Sequence, residues 1–444
     1  MADKRQMDYV EFTAEMKQTH TILVPTMLPI HFGMFVSLFR SYGYHAELLT
    51  NLGQEVKETG LKYVHNDTCY PAQLMIGQMI NALESGGYDL HRVALLISQT
   101  GGGCRASNYI ALLRKALAKA GMGYIPVISF NVVGLEKHSG FQLTLPLLHR
   151  MMYCVTYGDL LMSMRNQCLP YETAAGTTDA LVEKWSKKLI DAFAKKGRIR
   201  YREVLQNYRE IVRDFAALPR RCAQKIRVGI VGEIFVKFSP LGNNELEKFL
   251  VSEGAEVVMP GLLDFCMYCV TNTLIDRKLY GIHRTQAVVY RIADRFVLRK
   301  QRDLIDAIRE NSTFLPPTPF DHTRTLIDGY IGAGMKMGEG WLLTAEMLEL
   351  IDSGVRNIVC TQPFGCLPNH IVGKGMMKPI KEKNPGVNIV AIDYDAGATK
   401  INQENRIKLM LANAAKNEEA LQRNASASPK EDTERESLKD PMPV

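Results

Sequence analysis

Apolar residues along the chain gather in short dense runs: TILVP at 21–25, HAELLT at 45–50, VALLIS at 93–98 and YIPVIS at 124–129. Runs this short and this continuous read as strands buried on both faces. Helical periodicity fills the gaps, from about 31 to 41, at 73–84 (QLMIGQMINALE) and from Tyr109 to Lys119. Strands alternating with helices predict a parallel sheet covered on both sides. The rhythm stops at 176–217, where a charge-rich, helix-periodic stretch broken once at Gly197 reads as a helical connector. It restarts with strands at 226–232 (IRVGIVG) and 255–259 (AEVVM), a helix near 243–253 between them, and more helices. Strands at 356–362 (RNIVCTQ) and 388–393 (NIVAID), a helix after Pro368 and a last helix, NQENRIKLMLANAAK, complete the second unit. The chain therefore divides into an N-terminal extension (1–18), an α/β lobe (19–175), a helical connector (176–225), a second α/β lobe (226–416) and a polar tail (417–444). The tail has too few apolar residues to order itself and is expected to be disordered.

Length supports two lobes, because 444 residues exceed the size at which one core keeps growing. The net charge, 54 − 47 = +7, is scattered, and no basic block is interleaved with aromatics. A nucleic-acid partner is therefore not expected; an anionic substrate or an acidic protein partner suits the sign better. No stretch of 18 apolar residues suits a membrane span, and the first twenty residues lack the apolar run of a signal peptide. A cytoplasmic location follows as the expectation. In such a reducing compartment nine cysteines argue for metal ligands or buried small residues rather than a disulfide framework.

Three cysteines share a local design. Cys104 follows the 93–98 strand through Gln99-Thr100-Gly101-Gly102-Gly103 and opens a helical stretch. Cys69 (NDTCYPAQ) and Cys366 (QPFGCLPNH) each stand two residues before a proline, Pro71 or Pro368. Proline is tolerated in a first helical turn, so all three thiols are expected at helix N-termini, whose free amides favour thiolate. Gly103 and Gly365 would let backbone approach a bulky cluster and offer it N–H groups. The three ligands are dispersed, without ferredoxin spacing or the C-x₂-C knuckles of structural zinc, although zinc stays a competitor. Both lobes place cysteines just beyond strand ends, where open α/β sheets bind ligands.

Other candidates cluster nearby. Glu233 and Lys237 follow the first strand of the second lobe, and a carboxylate beside a cluster can serve as proton donor. Arg105 and His370 follow two of the cysteines and can tune a cluster or donate protons, or simply cap and pack. Asp393 and Asp395 read as helix caps, Lys374 and Lys378 as a solvated face with the alternative of meeting an anionic CoA phosphate, and Cys154, Cys168 and Cys222 as structural.

The segments HNDTCYP, QTGGGCRASNY, VGIVGEIFVKF, CTQPFGCLPNHIVGKG and AIDYDAG resemble those of 2-hydroxyacyl-CoA dehydratase-like proteins, over about residues 18–414. The closest likeness is to the dehydratase-like portion of large fusions with an ATP-dependent activase. That resemblance implies an oxygen-sensitive iron–sulfur cluster between two Rossmann-like lobes. It also implies a separate homodimeric ATPase of the actin/Hsp70-like fold that injects a low-potential electron. In the family's dehydratase subunits three cysteines hold a 4Fe–4S cluster with one iron open to substrate; Cys69, Cys104 and Cys366 match them in order and motif. A sister group holds an 8Fe–9S double cubane through additional thiolates. For that arrangement Cys360 and Cys269 are the best extra ligands, with Cys266 behind them on the same helical face. No phosphate loop occurs, so the chain is expected to depend on a separate activator, and without a recognisable second subunit a homodimer is expected. The leading expectation is a reductase component of double-cubane type acting on a small molecule. A 2-hydroxyacyl-CoA dehydratase subunit working through a ketyl radical is the alternative. A rival of another class is a non-catalytic two-lobed scaffold with a zinc or empty thiol site.

Overall fold

The computed structural model describes residues 9–100, 103–131, 136, 138–195, 197, 199–282 and 285–427. Gly101 and Gly102 of the turn before Cys104 lie outside them. Eight strands form two sheets. β1 (Thr21–Val24), β2 (His45–Leu48), β3 (Val93–Ser98) and β4 (Val127–Phe130) stand in the order β2-β1-β3-β4. β5 (Arg227–Gly232), β6 (Glu256–Val258), β7 (Asn357–Pro363) and β8 (Asn388–Tyr394) stand in the order β6-β5-β7-β8. Every pairing is parallel. The two lobes thus repeat one topology, and all eight strands fall on the apolar runs that predict them.

Alternation along the strands feeds two cores. Ile22, Val24, Ala94, Leu96 and Ile128 face one layer of helices, while Leu23, Val93, Leu95, Ile97 and Val127 face the other. The second of these cores continues through Val228, Ile230, Val359 and Ile392 of the second sheet, so the lobes share packed apolar material. Removing that surface from water stabilises their mutual position, at roughly 25 cal/mol per Å² of apolar area.

The 176–225 stretch is helical on both sides of Gly197, as Thr177–Ala194 and Tyr201–Ala216, and it packs against both halves of the chain: the first of these helices lies on Pro29–Ser41 and the second on Gln286–Asn311. Trp185, Leu189, Phe193, Tyr208 and Phe215 enter the same core as Ile22 and Leu96, together with residues of the long helices Leu145–Cys168, Leu262–Tyr280 and Gln286–Asn311. Its charges lie outside and its aromatics inside, so sequence periodicity identifies the helices without revealing what they cover. Phe12, in the expected extension, is likewise fully buried. The last helix runs from Lys400 to Ala427, ten residues beyond the expected onset of the tail. The segment EEALQRNASA is rich in good helix formers, which favour propagation even without an apolar face.

In each sheet the chain turns one way from the first strand and the other way from its neighbour, so the switch points lie between β1 and β3 and between β5 and β7. Ligand crevices open at such points, beyond the carboxyl ends of the strands. Cys104 follows β3, Glu233 follows β5 and Cys366 follows β7.

Candidate metal centre

Cys69 is the residue immediately before the helix Tyr70–Glu84, with extended backbone (φ −57°, ψ 141°) and Pro71 in the first turn. Cys104 stands in the same relation to the single turn Arg105–Asn108, which leads into the helix Tyr109–Lys119. Cys366 follows the end of β7 after a tight turn at Gly365, and Leu367-Pro368 then starts a wide helical turn, Asn369–Gly373. Cys69 thus stands at the start of an α-helix and Cys104 at the start of a single turn, while Cys366 lies two residues before Pro368, which caps the turn that follows it.

The turn at Gly365 also brings the lobes into contact. The Tyr70 amide donates to the Phe364 carbonyl at 3.0 Å. Gly365 has φ +70°, and a Cβ there would lie 3.0 Å from the Cys69 Cα. Glycine is needed for both reasons: the left-handed backbone and the lack of room. A second glycine, Gly338 (φ +59°), closes the other side, where a Cβ would lie 3.0 Å from Pro368 Cγ and 3.7 Å from Cys104 Sγ. Cys69 and Cys366 are buried and Cys104 is half-buried.

The three thiols share one electrostatic environment. Burial pushes the Cys104 thiol up to about 11, and ionised Glu339, Glu233 and Cys69 add to the rise. Burial is also the first cause at Cys366, raised further by Glu233, Glu339 and Cys104, and at Cys69, where Glu233 adds. Against these stand the nearest backbone amides: Ala72 at Cys69, Ala106 at Cys104 and Asn369 at Cys366 each favour thiolate. None of the first two is a full capping hydrogen bond. Burial and neighbouring carboxylates make ionisation of these thiols costly, a cost that a bound cation would relieve, since a coordinated thiol is deprotonated outright. Among the described residues no three His, Cys, Asp or Glu side chains gather closely enough for a single metal ion.

Behind the thiols lies a buried polar layer. Glu233 caps the short helix Ile234–Phe238 by accepting the Val236 amide at 2.9 Å. Glu339, which the sequence reading did not single out, accepts the Ile234 amide at 2.9 Å. Burial, then the neighbouring Glu339 charge, lifts the Glu233 carboxyl to about 8, which favours its protonated form. Lys237 is turned inward, its Nζ 2.7 Å from Glu346 Oε1 with both side chains almost wholly enclosed.

Of the remaining sequence candidates, Arg105 is exposed beside Cys104, and its charge helps the Cys69 thiolate. His370 is exposed, and its amide donates to the Cys366 carbonyl at 3.1 Å. Gly103 is exposed, and a Cβ there would meet Met337 Cε at 3.1 Å. Cys360 stands apart: it points from β7 into a core of Val231, Met347, Leu348 and Ile358, and its neighbouring charges are Glu346, Lys374 and Asp393. Its sulfur lies 3.8 Å from Asn369 Oδ1, in the turn that follows Cys366. Its backbone belongs to a central strand whose alternation turns the side chain toward the helix Trp341–Asp352. Cys269 is exposed as a residue, but its sulfur is largely desolvated, and this, then the Glu339 charge, pushes the thiol up to about 12. Cys266, one turn earlier, faces Asp159 and Asp264. Asp395 caps a turn through the Gly397 amide (2.6 Å), and Asp393 is paired with Lys374 (3.0 Å). Lys378 pairs along its helix with Glu382 (3.7 Å). Cys154 and Cys168 are buried and Cys222 is exposed.

Tyr109 is the other residue missed by the sequence: its hydroxyl lies 3.2 Å from Cys69 Sγ. The flanking glycines of Glu339 were a usable signal, since Gly338 and Gly340 both take positive φ; Tyr109 offered none. No helix among the described residues is long and apolar enough to cross a membrane. Neither a protein-family model nor a curated protein matches this chain.

Proposed function

We propose that the chain is the cluster-bearing component of an iron–sulfur reductase, in which Cys69, Cys104 and Cys366 hold one 4Fe–4S cluster with an iron site left for substrate. The observation that carries this reading is the meeting of three thiols, drawn from both lobes and each just ahead of a helical turn, near paired topological switch points. When bound, the cluster would supply one-electron reduction at low potential. The surrounding residues do the rest. Gly365 and Gly338 allow the walls to close on the thiols. Glu233, whose carboxyl burial and Glu339 raise, is the group near the thiols best suited to hold a proton. Lys237 balances the buried carboxylates and is committed to Glu346, which favours a structural role over proton donation at the crevice.

The position of Cys360 favours a single cubane over a double one, and with it the branch of the resemblance in which substrate binds an open iron. A 2-hydroxyacyl-CoA is then a suitable substrate class beside other small molecules. Electrons would come from a separate ATP-hydrolysing activator of the actin/Hsp70-like fold. Phe364, Leu367 and Ile371, apolar and exposed around Cys366, suit such a docking protein. The exposed stripe Val288, Val289, Ile292 and Phe296 suits the proposed homodimer. Anaerobic purification tests the proposal. A brown protein with iron, acid-labile sulfide and an EPR signal on reduction is expected; a colourless zinc protein would refute it in favour of a scaffold with a zinc–thiolate site.

A further inference from the structure

Each sulfur of the trio has a backbone amide beside it, and only Cys69 has, among the described residues, a side-chain hydrogen-bond partner as well. That partner is Tyr109, which opens the helix Tyr109–Lys119 five residues after Cys104. The turn between them is pinned: Ser107 donates its amide (3.1 Å) and its hydroxyl (2.7 Å) to the Cys104 carbonyl, and Gln99 donates to the Ser107 carbonyl at 3.0 Å. Tyr109 is itself buried in the core that packs the 70–84 helix, with Ile110 and Leu113 beside it. Its ring is therefore fixed by packing, and its hydroxyl is delivered to a sulfur that belongs to a different helix.

We propose that Tyr109 is a positioning residue whose hydroxyl donates a hydrogen bond to Cys69 Sγ, making Cys69 electronically distinct from Cys104 and Cys366 and setting the potential of the bound centre. The inference rests on the reading that these thiols ligate a cluster. A metal-bound thiolate carries no proton, so in that state only the tyrosine can donate. Hydrogen bonds to cluster sulfurs are among the main levers on cluster potential, because they withdraw charge from sulfur and favour the reduced, more negative form. Tyrosine also ties two ligand helices together through one contact, so the ring orients Cys69 while the hydroxyl tunes it. Tyr109→Phe keeps the first role and removes only the second.

The experiment compares wild-type protein with Tyr109→Phe after anaerobic reconstitution, reading iron content, midpoint potential by EPR-monitored titration, and the g-values of the reduced centre. The inference expects equal iron, a midpoint shifted to more negative potential and altered g-values. Equal iron with unchanged midpoint and g-values would overturn it, since a residue that merely packs would give that result. If wild-type protein takes up no iron, the reading of function fails, and the contact is decided in the metal-free protein by alkylation with iodoacetamide and peptide mapping. Loss of a donor that favours thiolate should slow modification of Cys69 several-fold relative to Cys366. An unchanged ratio would overturn the inference.

Discussion

Replacing Lys237 with methionine removes the cation from a buried group of carboxylates. Lys237 Nζ lies 2.7 Å from Glu346 Oε1, and the two side chains are 4% and 2% exposed. Its charge also acts on Glu233, Glu339, Glu349 and Asp264. Methionine fills a similar volume, so the change is chiefly electrostatic. Removing one partner of a buried pair costs about 3–5 kcal/mol, because an uncompensated charge stays behind. Glu346 can escape that cost by taking up a proton. Burial already raises its pKa, and Lys237 is the main influence holding it down. In the variant its folded-state pKa rises further above the unfolded value, so stability is highest below the unfolded pKa and is lost as pH rises toward the folded one. The deficit relative to wild type should therefore be largest near pH 8 and shrink on acidification, by up to about 1.4 kcal/mol per pH unit for one extra bound proton. Urea denaturation followed by circular dichroism at about pH 5.5 and about pH 8 measures this linkage. The double variant Lys237→Met/Glu346→Leu should recover most of the loss, as apolar replacement of a whole buried pair often does. A deficit below about 1 kcal/mol, which is all that an exposed pair contributes, or one equal at both pH values, would refute the reasoning.

Three other outcomes follow from the same geometry. Gly365→Ala should cost on the order of 1–3 kcal/mol through its left-handed backbone and displaced neighbour and should lower iron uptake, because the new Cβ would press the Cys69 backbone (3.0 Å); unchanged iron binding would show that the approach of the two lobes is not needed. Cys360→Ala should leave iron content unaltered at a stability cost of about 1 kcal/mol for a small core truncation, and a loss of half the iron would restore the double-cubane arrangement. Burial and the Glu346 charge lift Glu349 to about 8, so its protonated form stabilises the fold at low pH and that contribution fades as pH rises from the ordinary carboxylate value toward 8; Glu349→Gln should flatten the pH dependence of the urea midpoint across that window, and a slope identical to wild type would argue against a proton held there.

Much of the architecture is legible in the chain because its strands are short, apolar on both faces and separated by helical period. Runs such as VALLIS and RNIVCTQ admit little else, and β3 and β7 lie where they predict. The three cysteines are legible for a local reason: a thiol just before a proline-started or glycine-preceded helical turn is a pattern of adjacent residues. What fails is information that depends on partners distant in sequence. Cys360 looks like a sixth-neighbour companion of Cys366, yet strand alternation turns it into the core. Glu339 and Tyr109 reach the crevice only because of a glycine-flanked loop and a pinned turn. The 177–216 helices show their amphipathic face plainly, but nothing in that face says that it packs on Pro29–Ser41 of the first lobe and on Gln286–Asn311 of the second.

The account turns on whether Cys69, Cys104 and Cys366 share one inorganic centre. Iron and sulfide per chain, measured after anaerobic reconstitution of wild type and of Cys69→Ser, Cys104→Ser and Cys366→Ser, test this most directly. About four iron per chain, as expected for a thiolate-ligated cubane, and loss of most of it in every one of the three folded variants is the predicted result. Iron content untouched by any one of these substitutions would contradict the shared centre.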